Sequence, residues 1–200
     1  MLDRGRGWGT VTTIPFPDPP LADEAITLRT WADRDVGPAR EATSDAEIVR
    51  FTRVPADQTA DELRVWLLDR ELARKAGETL SLAIADARDD TFLGTISLLR
   101  FDWGDRRCEV GYWLAPRGRG RGAATRAVVL LSRWALDELG LARLALCTDS
   151  DNAASQAVAE RSGFVREGVR RSYEERDGQR YDIVVFSLVP DDLPGRLRTR

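Results

Sequence analysis

The run R-G-R-G-R-G-A-A, Arg117 to Ala124, decides how this chain is read. It follows the apolar, strand-like V-G-Y-W-L of Val110 to Leu114 and opens an amphipathic helix at Ala124. Three glycines leave no side chain between backbone and ligand, N–H groups at a helix start lack partners, and arginines flank the turn. That is the description of a diphosphate cradle. Behind it, Ala124, Ala127, Val128, Leu131, Trp134 and Ala135 recur at helical spacing, one buried face that stops near Gly140.

Working outward, Thr79 to Ala85, Phe92 to Leu98 and Arg107 to Leu114 read as strands of an antiparallel meander that ends at the loop. Beyond the helix, Leu144 to Thr148 is a buried strand, parallel to the one before the loop because a helix separates them. Asp151-Asn152 caps a helix to about Ser162, and strands Phe164 to Glu175 and Gln179 to Leu188 flank an Asp177-Gly178 turn. Upstream, Ile26 to Trp31 alternates as a strand. Helices follow from Asp33 to about Thr43, from Ser44-Asp45 through Phe51, and from Thr59 to Ala76, the last with Leu63, Trp66, Leu67, Arg70 and Leu72 as its apolar face. The count is about seven strands in a mixed α/β, α+β domain. Residues 1–22 read as a Pro/Gly-rich arm, 23–190 as one domain and 191–200 as a polar tail. Trp8, Ile14 and Phe16 in the arm either dock, on the domain or on a second subunit, or are incidental.

Composition bounds the chemistry. The net charge of −3 gives no overall attraction to nucleic acid or an anionic membrane, although arginines are many and Lys75 is the only lysine. No apolar run approaches the ~20 residues needed to span a bilayer. Cys108 and Cys147 form no C-x-x-C pair and read as buried free thiols in a cytoplasmic protein. With no histidine in the chain, a Ser-His-Asp triad, a Cys-His dyad, a histidine-ligated zinc and a histidine base are excluded, and no metal site is expected. Acid-base work falls to carboxylates, tyrosine, serine or water.

Taken alone, the loop fits several ligands. A dinucleotide-binding unit also runs strand, glycine turn, helix, strand, with Asp149 placed to receive a ribose hydroxyl. Against it, the loop follows an antiparallel meander, its alternating arginines suit a more highly charged phosphate group, and too little chain remains for a doubly wound sheet. An RNA-binding arginine-glycine box is long and disordered, whereas this run joins two periodic elements. A plain Gly-rich turn with solvated arginines is the remaining reading.

The span from about Glu109 to Leu188 resembles the GNAT superfamily of N-acetyltransferases, in particular its RimJ/RimL-like branch. The matching blocks are E-V-G-Y-W-L-A-P, R-G-R-G-A-A-T-R-A, D-E-L-G-L-A-R-L-A-L, D-N-A-A-S-Q-A-V-A-E-R-S-G-F-V-R-E-G and D-G-Q-R-Y-D-I-V-V-F-S-L, in order. The first half agrees more loosely, through L-R-T-W-A-D-R-D and F-L-G-T-I-S-L. The resemblance implies a single domain whose mostly antiparallel twisted sheet is splayed at the cofactor site and flanked by helices. The family's pyrophosphate motif fits in two registers, Arg117 to Gly122 and Arg119 to Ala124, and the phase of the following helix selects the second.

What the resemblance implies chemically can be assigned residue by residue. The cofactor is acetyl-CoA, its pyrophosphate held by Arg119, Gly120, Arg121, Gly122, Ala123 and Ala124, and its pantetheine arm by the backbone of Tyr112, Trp113 and Leu114. Asn152 and Ser155 match a pair along the thiol end. Asn152 is equally a good helix cap, and Ser155 is either the acid for the departing thiolate or a small surface residue. Glu109 is either the base that takes the ammonium proton or a strand carboxylate paired with an arginine. Tyr173, Glu174 and Asp182 border the acceptor cleft. The expected reaction is direct attack of a primary amine, a protein N-terminal α-amine or a small molecule, with no covalent enzyme intermediate. The alternative is a non-catalytic domain binding CoA or a dinucleotide as sensor or scaffold. The arm makes a homodimer an expectation as well.

Overall fold

Strand periodicity in the sequence becomes one sheet in the computed structural model, which describes residues 13–193. Among the described residues the sheet holds eight strands: β1 (Leu21–Ala22), β2 (Ile26–Arg29), β3 (Leu80–Asp86), β4 (Phe92–Asp102), β5 (Arg107–Leu114), β6 (Arg143–Asp149), β7 (Val165–Arg176) and β8 (Gln179–Leu188). Their order is β1-β2-β3-β4-β5-β6-β8-β7. All neighbours are antiparallel except β5 and β6, which run parallel because the helix α4 (Ala123–Asp137) carries the chain across between them. The eighth strand is the two-residue β1, inside the stretch read as the arm.

Alternation assigns the two faces. Leu80, Leu82, Ile84, Ile96, Leu98, Cys108 and Val110 pack with Ala127, Val128 and Leu131 of α4 and Val158 and Ala159 of α5 (Ala153–Arg161). The opposite parity, Ala83 with Phe92, packs on Val36 and Ala39 of α1 (Asp33–Ala42) and Leu63 of α3 (Ala60–Lys75). On that second face the sheet also carries Ser81, Thr95, Ser97 and Gly111, side chains too small to fill the space under a helix. The short helix α2 (Ala46–Phe51) stands beside this gap, capped by Asp45, whose side chain accepts from the N–H groups of Glu47 and Ile48.

Two features depart from sequence expectation. Ile14, from the arm, is fully buried in the main core, and its N–H donates to Arg74 O at 3.1 Å, so this part of the arm belongs to the domain. Phe16 packs against the same core under the Arg74 guanidinium, while Trp8 lies outside the described residues. The α3 face keeps Leu63 buried and Trp66, Leu67 and Arg70 partly so, but Leu72 of the expected face is 64% exposed, beside Val65 and Leu68 at 57% and 66%.

Candidate active site

The β5–β6 ladder is short. Arg107 to Glu109 pair with Arg143 to Ala145, and past that point β6 continues against β8 alone. The main chain of Val110 to Leu114 therefore has no ladder partner on its β6 side, which leaves its N–H and C=O groups there, apart from the Leu114 C=O that Arg119 holds, to a ligand or to water. A cleft of about 1270 Å³ opens there, lined by both strands, by Gly120, Gly122, Ala123 and Ala124 at the head of α4, and by Asn152 and Ser155 at the head of α5.

At the mouth of α4 the backbone turns twice through the left-handed region, at Gly120 (φ +74°) and Gly122 (φ +75°), positions that favour glycine. Gly118 serves differently, sitting in a 3-10 turn where a Cβ would lie 2.6 Å from Leu93 O. Among the described residues no backbone carbonyl accepts from the N–H groups of Gly120 through Thr125, and the next, from Arg126, reaches Gly122 O at 3.1 Å. No acidic residue stands in the first turn of α4 and no side chain caps it. A row of open donors at a helix N-terminus fits a pyrophosphate.

The arginines of the loop are held by carboxylates, and Arg119 also lines the cleft. Arg119 donates to Asp45 at 2.5 Å and Glu47 at 2.8 Å, and to Leu114 O at 3.2 Å. Arg119 thus fastens the loop to the head of α2, and it holds the Asp45 carboxyl below its usual range. Arg121 pairs with Asp86 at 3.2 Å, and Arg117 lies 3.7 Å from Glu41.

Across the cleft the strand alternation splits the reactive groups between faces. Glu109 is on the α1–α3 side and takes a hydrogen bond from Arg100 at 2.8 Å. Tyr112, of opposite parity, donates its hydroxyl to Ser155 Oγ at 3.2 Å, and burial pushes its pKa up. The Ser155 N–H in turn donates to Asn152 Oδ1 at 3.0 Å, so Asn152 acts as the α5 cap and its side chain orients the turn that carries Ser155. The Tyr112 hydroxyl was absent from the sequence reading, which used only its backbone; counting alternation from buried Val110 is the signal that would have found it. Cys147 is half-buried on the cleft wall, not fully buried as expected, and burial first, then the Glu109 carboxylate, pushes its thiol up to about 11.

Of the three acceptor candidates, Glu174 lines the cleft, 3.5 Å from Arg53 and 4.0 Å from Arg176. Tyr173 and Asp182 do not. The hairpin bulges between Arg170 and Glu174, with Ser172 at φ +50°; Asp182 accepts the Ser172 N–H at 2.7 Å, and Tyr173 lies exposed under Arg170. Asp149, the residue a dinucleotide ribose would need, is buried and ion-paired with Arg176.

An amide cradle stands at one end of the split between the parallel strands, with a carboxylate and a hydroxyl pair on opposite faces of β5. Residues 25–165 match the family model described as Acetyltransferase (GNAT) domain, and the chain belongs to that family, whose cofactor is acetyl-CoA and whose reaction is acetyl transfer to an amine. It is 38% identical over 107 residues to YdaF of Bacillus subtilis (strain 168), provisionally named a ribosomal N-acetyltransferase; the match covers 54% of this chain and 58% of that protein. Two solved structures share the fold at a TM-score of 0.76. One is RimL, the ribosomal L7/L12 alpha-N-protein acetyltransferase in complex with coenzyme A, 20% identical, covering 85% of this chain and 97% of that one. The other is the microcin C7 self-immunity acetyltransferase MccE in complex with acetyl-CoA and AMP, 22% identical, covering 84% and 93%.

Proposed function

We propose that this protein acetylates the α-amine of a peptide or protein N-terminus, with acetyl-CoA held on the amides of Gly120 to Thr125 and along the open edge of Tyr112 to Leu114. The observation that carries the reading is the separation of Glu109 from the Tyr112–Ser155 pair by strand parity. Acetyl-CoA, when bound, supplies the acetyl group as an activated thioester. Glu109 takes the proton from the attacking amine, directly or through water, on the α1–α3 face. On the other face Ser155 Oγ gives its proton to the departing sulfur and regains one from solvent, and the Tyr112 hydroxyl, whose pKa burial raises, donates a hydrogen bond that orients Ser155 Oγ. Asn152 fixes the turn that presents Ser155.

The peptide acceptor is favoured by the wide, solvent-open cleft beyond Glu109 and by the ribosomal substrates named for YdaF and RimL. Free thiols at Cys108 and Cys147 support a reducing, cytoplasmic setting. A homodimer is the remaining part of the proposal, supported by the exposed Val65, Leu68 and Leu72 stripe of α3 and by Thr13 to Phe16 running beside the end of that helix. Sedimentation of wild type and Leu68→Asp tests it: a dimer lost in the variant is expected, and a wild-type monomer contradicts it. For the activity, thermal shift with acetyl-CoA, CoA and NAD, paired with thiol release on an amine panel, is the test. Stabilisation by acetyl-CoA with amine-dependent thiol release is expected. Binding without turnover on any amine would favour a sensor or scaffold, and stronger stabilisation by NAD would overturn the cofactor.

A further inference from the structure

The acceptor side of the cleft is lined by arginines, and most of them hold a carboxylate, although Arg176 Nε, like Arg70 Nε, is buried with no hydrogen-bond partner. Arg50 pairs with Asp151, Arg53 with Glu174, Arg100 with Glu109, and Arg176 with Asp149. Arg161 has no ion pair among the described residues, but it is exposed to water. Arg70 differs. It is half-buried on α3, its Nε is shut off from solvent with no hydrogen-bond partner, and no carboxylate of the described residues pairs with it. Its one recorded contact is the Trp66 ring, with the guanidinium 5.6 Å from the centroid. A guanidinium N–H shut off from water without a partner is costly, and a ligand anion beside it offsets that cost.

The surroundings fit an anion. Arg70 and Ser81 line both the large cleft and an adjoining cavity of about 470 Å³, where Trp31 Nε1 is a second buried donor without a partner. Ser81 and Ser97 share a hydrogen bond at 2.8 Å on the floor below. Register then sets the distance to the chemistry. Ser81 pairs with Ser97 and Ser97 with Gly111, while Glu109 stands one same-face position further along β5. Two strand spacings and two residues of rise separate the Cα atoms of Ser81 and Glu109 by about 12 Å. A free α-amino acid, with one carbon between amine and carboxylate, cannot serve both places; an extended peptide covers about that distance in three or four residues.

Resting on the peptide reading above, we infer that Arg70, with Ser81 beside it, forms an anion subsite that takes the side-chain carboxylate of an acidic residue at the second to fourth position of the acceptor. It makes Arg70 a specificity residue, remote from the reacting atoms.

The test uses short synthetic peptides with a free N-terminus that carry Asp at position two, three or four, each beside its Asn counterpart, at saturating acetyl-CoA. At one of these positions Asp→Asn should raise KM about tenfold with kcat nearly unchanged, the loss of one charge-assisted contact. Arg70→Gln should erase that difference, Arg70→Lys should retain part of it, and acetyl-CoA affinity should be unaltered in both. Equal KM values for Asp and Asn peptides in the wild type, or a difference that survives Arg70→Gln, would overturn the inference. Weakened acetyl-CoA binding in Arg70→Lys would do so too, by giving Arg70 to the cofactor. Calorimetric binding of the N-acetylated product peptides to the CoA-loaded protein reads the same Asp/Asn ratio without turnover. A protein that shows the binding ratio but acetylates no peptide fails the functional reading while keeping the subsite.

Discussion

The two sides of the cleft are built on different principles. The proposed cofactor side comes mainly from one continuous run, Tyr112 to Thr125, and offers unpartnered main-chain amides and a bare strand edge, with Asn152 and Ser155 of α5 facing it. The acceptor side gathers Arg53, Arg70, Ser81, Ser97, Arg100 and Glu174 from five separate elements and loops, and its chemistry is all side chain, half of it in ion pairs. A cradle of backbone can hold a constant ligand while its side chains change. A wall of paired side chains can be re-cut for a new acceptor without disturbing the cradle.

Changes on the two sides should therefore fail in different ways. The largest effect is expected at the acceptor wall, from Asp149→Asn, which removes the close carboxylate partner of Arg176 at a buried position, leaving only Glu174 at 4.0 Å and the Arg50 carbonyl, and should cost about 3 kcal/mol of stability by denaturant unfolding. A loss under about 1 kcal/mol would mean that the pair is surface-like. Next comes Tyr112→Phe, which leaves the backbone edge intact; kcat should fall about tenfold, or by ~1.4 kcal/mol in barrier, with the acetyl-CoA dissociation constant unmoved. Equal falls in kcat and in cofactor affinity would instead make Tyr112 a binding residue. Asn152→Ala removes the α5 cap and should cost about 1 kcal/mol, together with a drop in turnover through Ser155; full turnover at reduced stability would confine Asn152 to capping.

The smallest effect is one of pH, away from both sides. Glu167 on β7 is held down to about 2 by the Arg143 guanidinium on β6, against an opposing cost of burial, with further help from the Ser187 hydroxyl. Its folded pKa is depressed, so its contribution is complete above its ordinary value near 4.5 and is lost as pH falls towards 2. The melting temperatures of wild type and Glu167→Gln should converge as pH drops through that window. Curves that stay parallel would remove the linkage.

Local patterns carried most of the fold. The phase of α4, the strand alternation and the caps at Asp45, Thr59 and Asn152 are all nearest-neighbour features, and they placed the helices to within a residue or two. The parallel β5–β6 pair followed from the helix between them. What the sequence could not disclose is which partners distant residues find. Arg119 meets Asp45 across 74 positions, a tie between the loop and the head of α2 that no local pattern announces. Ile14 sits within a proline-rich run whose composition reads as an arm, and only tertiary packing buries it. Tyr173 and Asp182 were displaced by a bulge at Ser172, a backbone irregularity with no periodic signature.

The central claim is that the cofactor and the amine are handled by separable parts, and Glu109→Gln tests it most directly. Steady-state thiol release and calorimetric titration of acetyl-CoA should be run side by side on wild type and variant. Turnover should fall about a hundredfold, while acetyl-CoA affinity stays within about twofold of wild type. Unchanged turnover, or loss of acetyl-CoA binding along with turnover, would contradict the account.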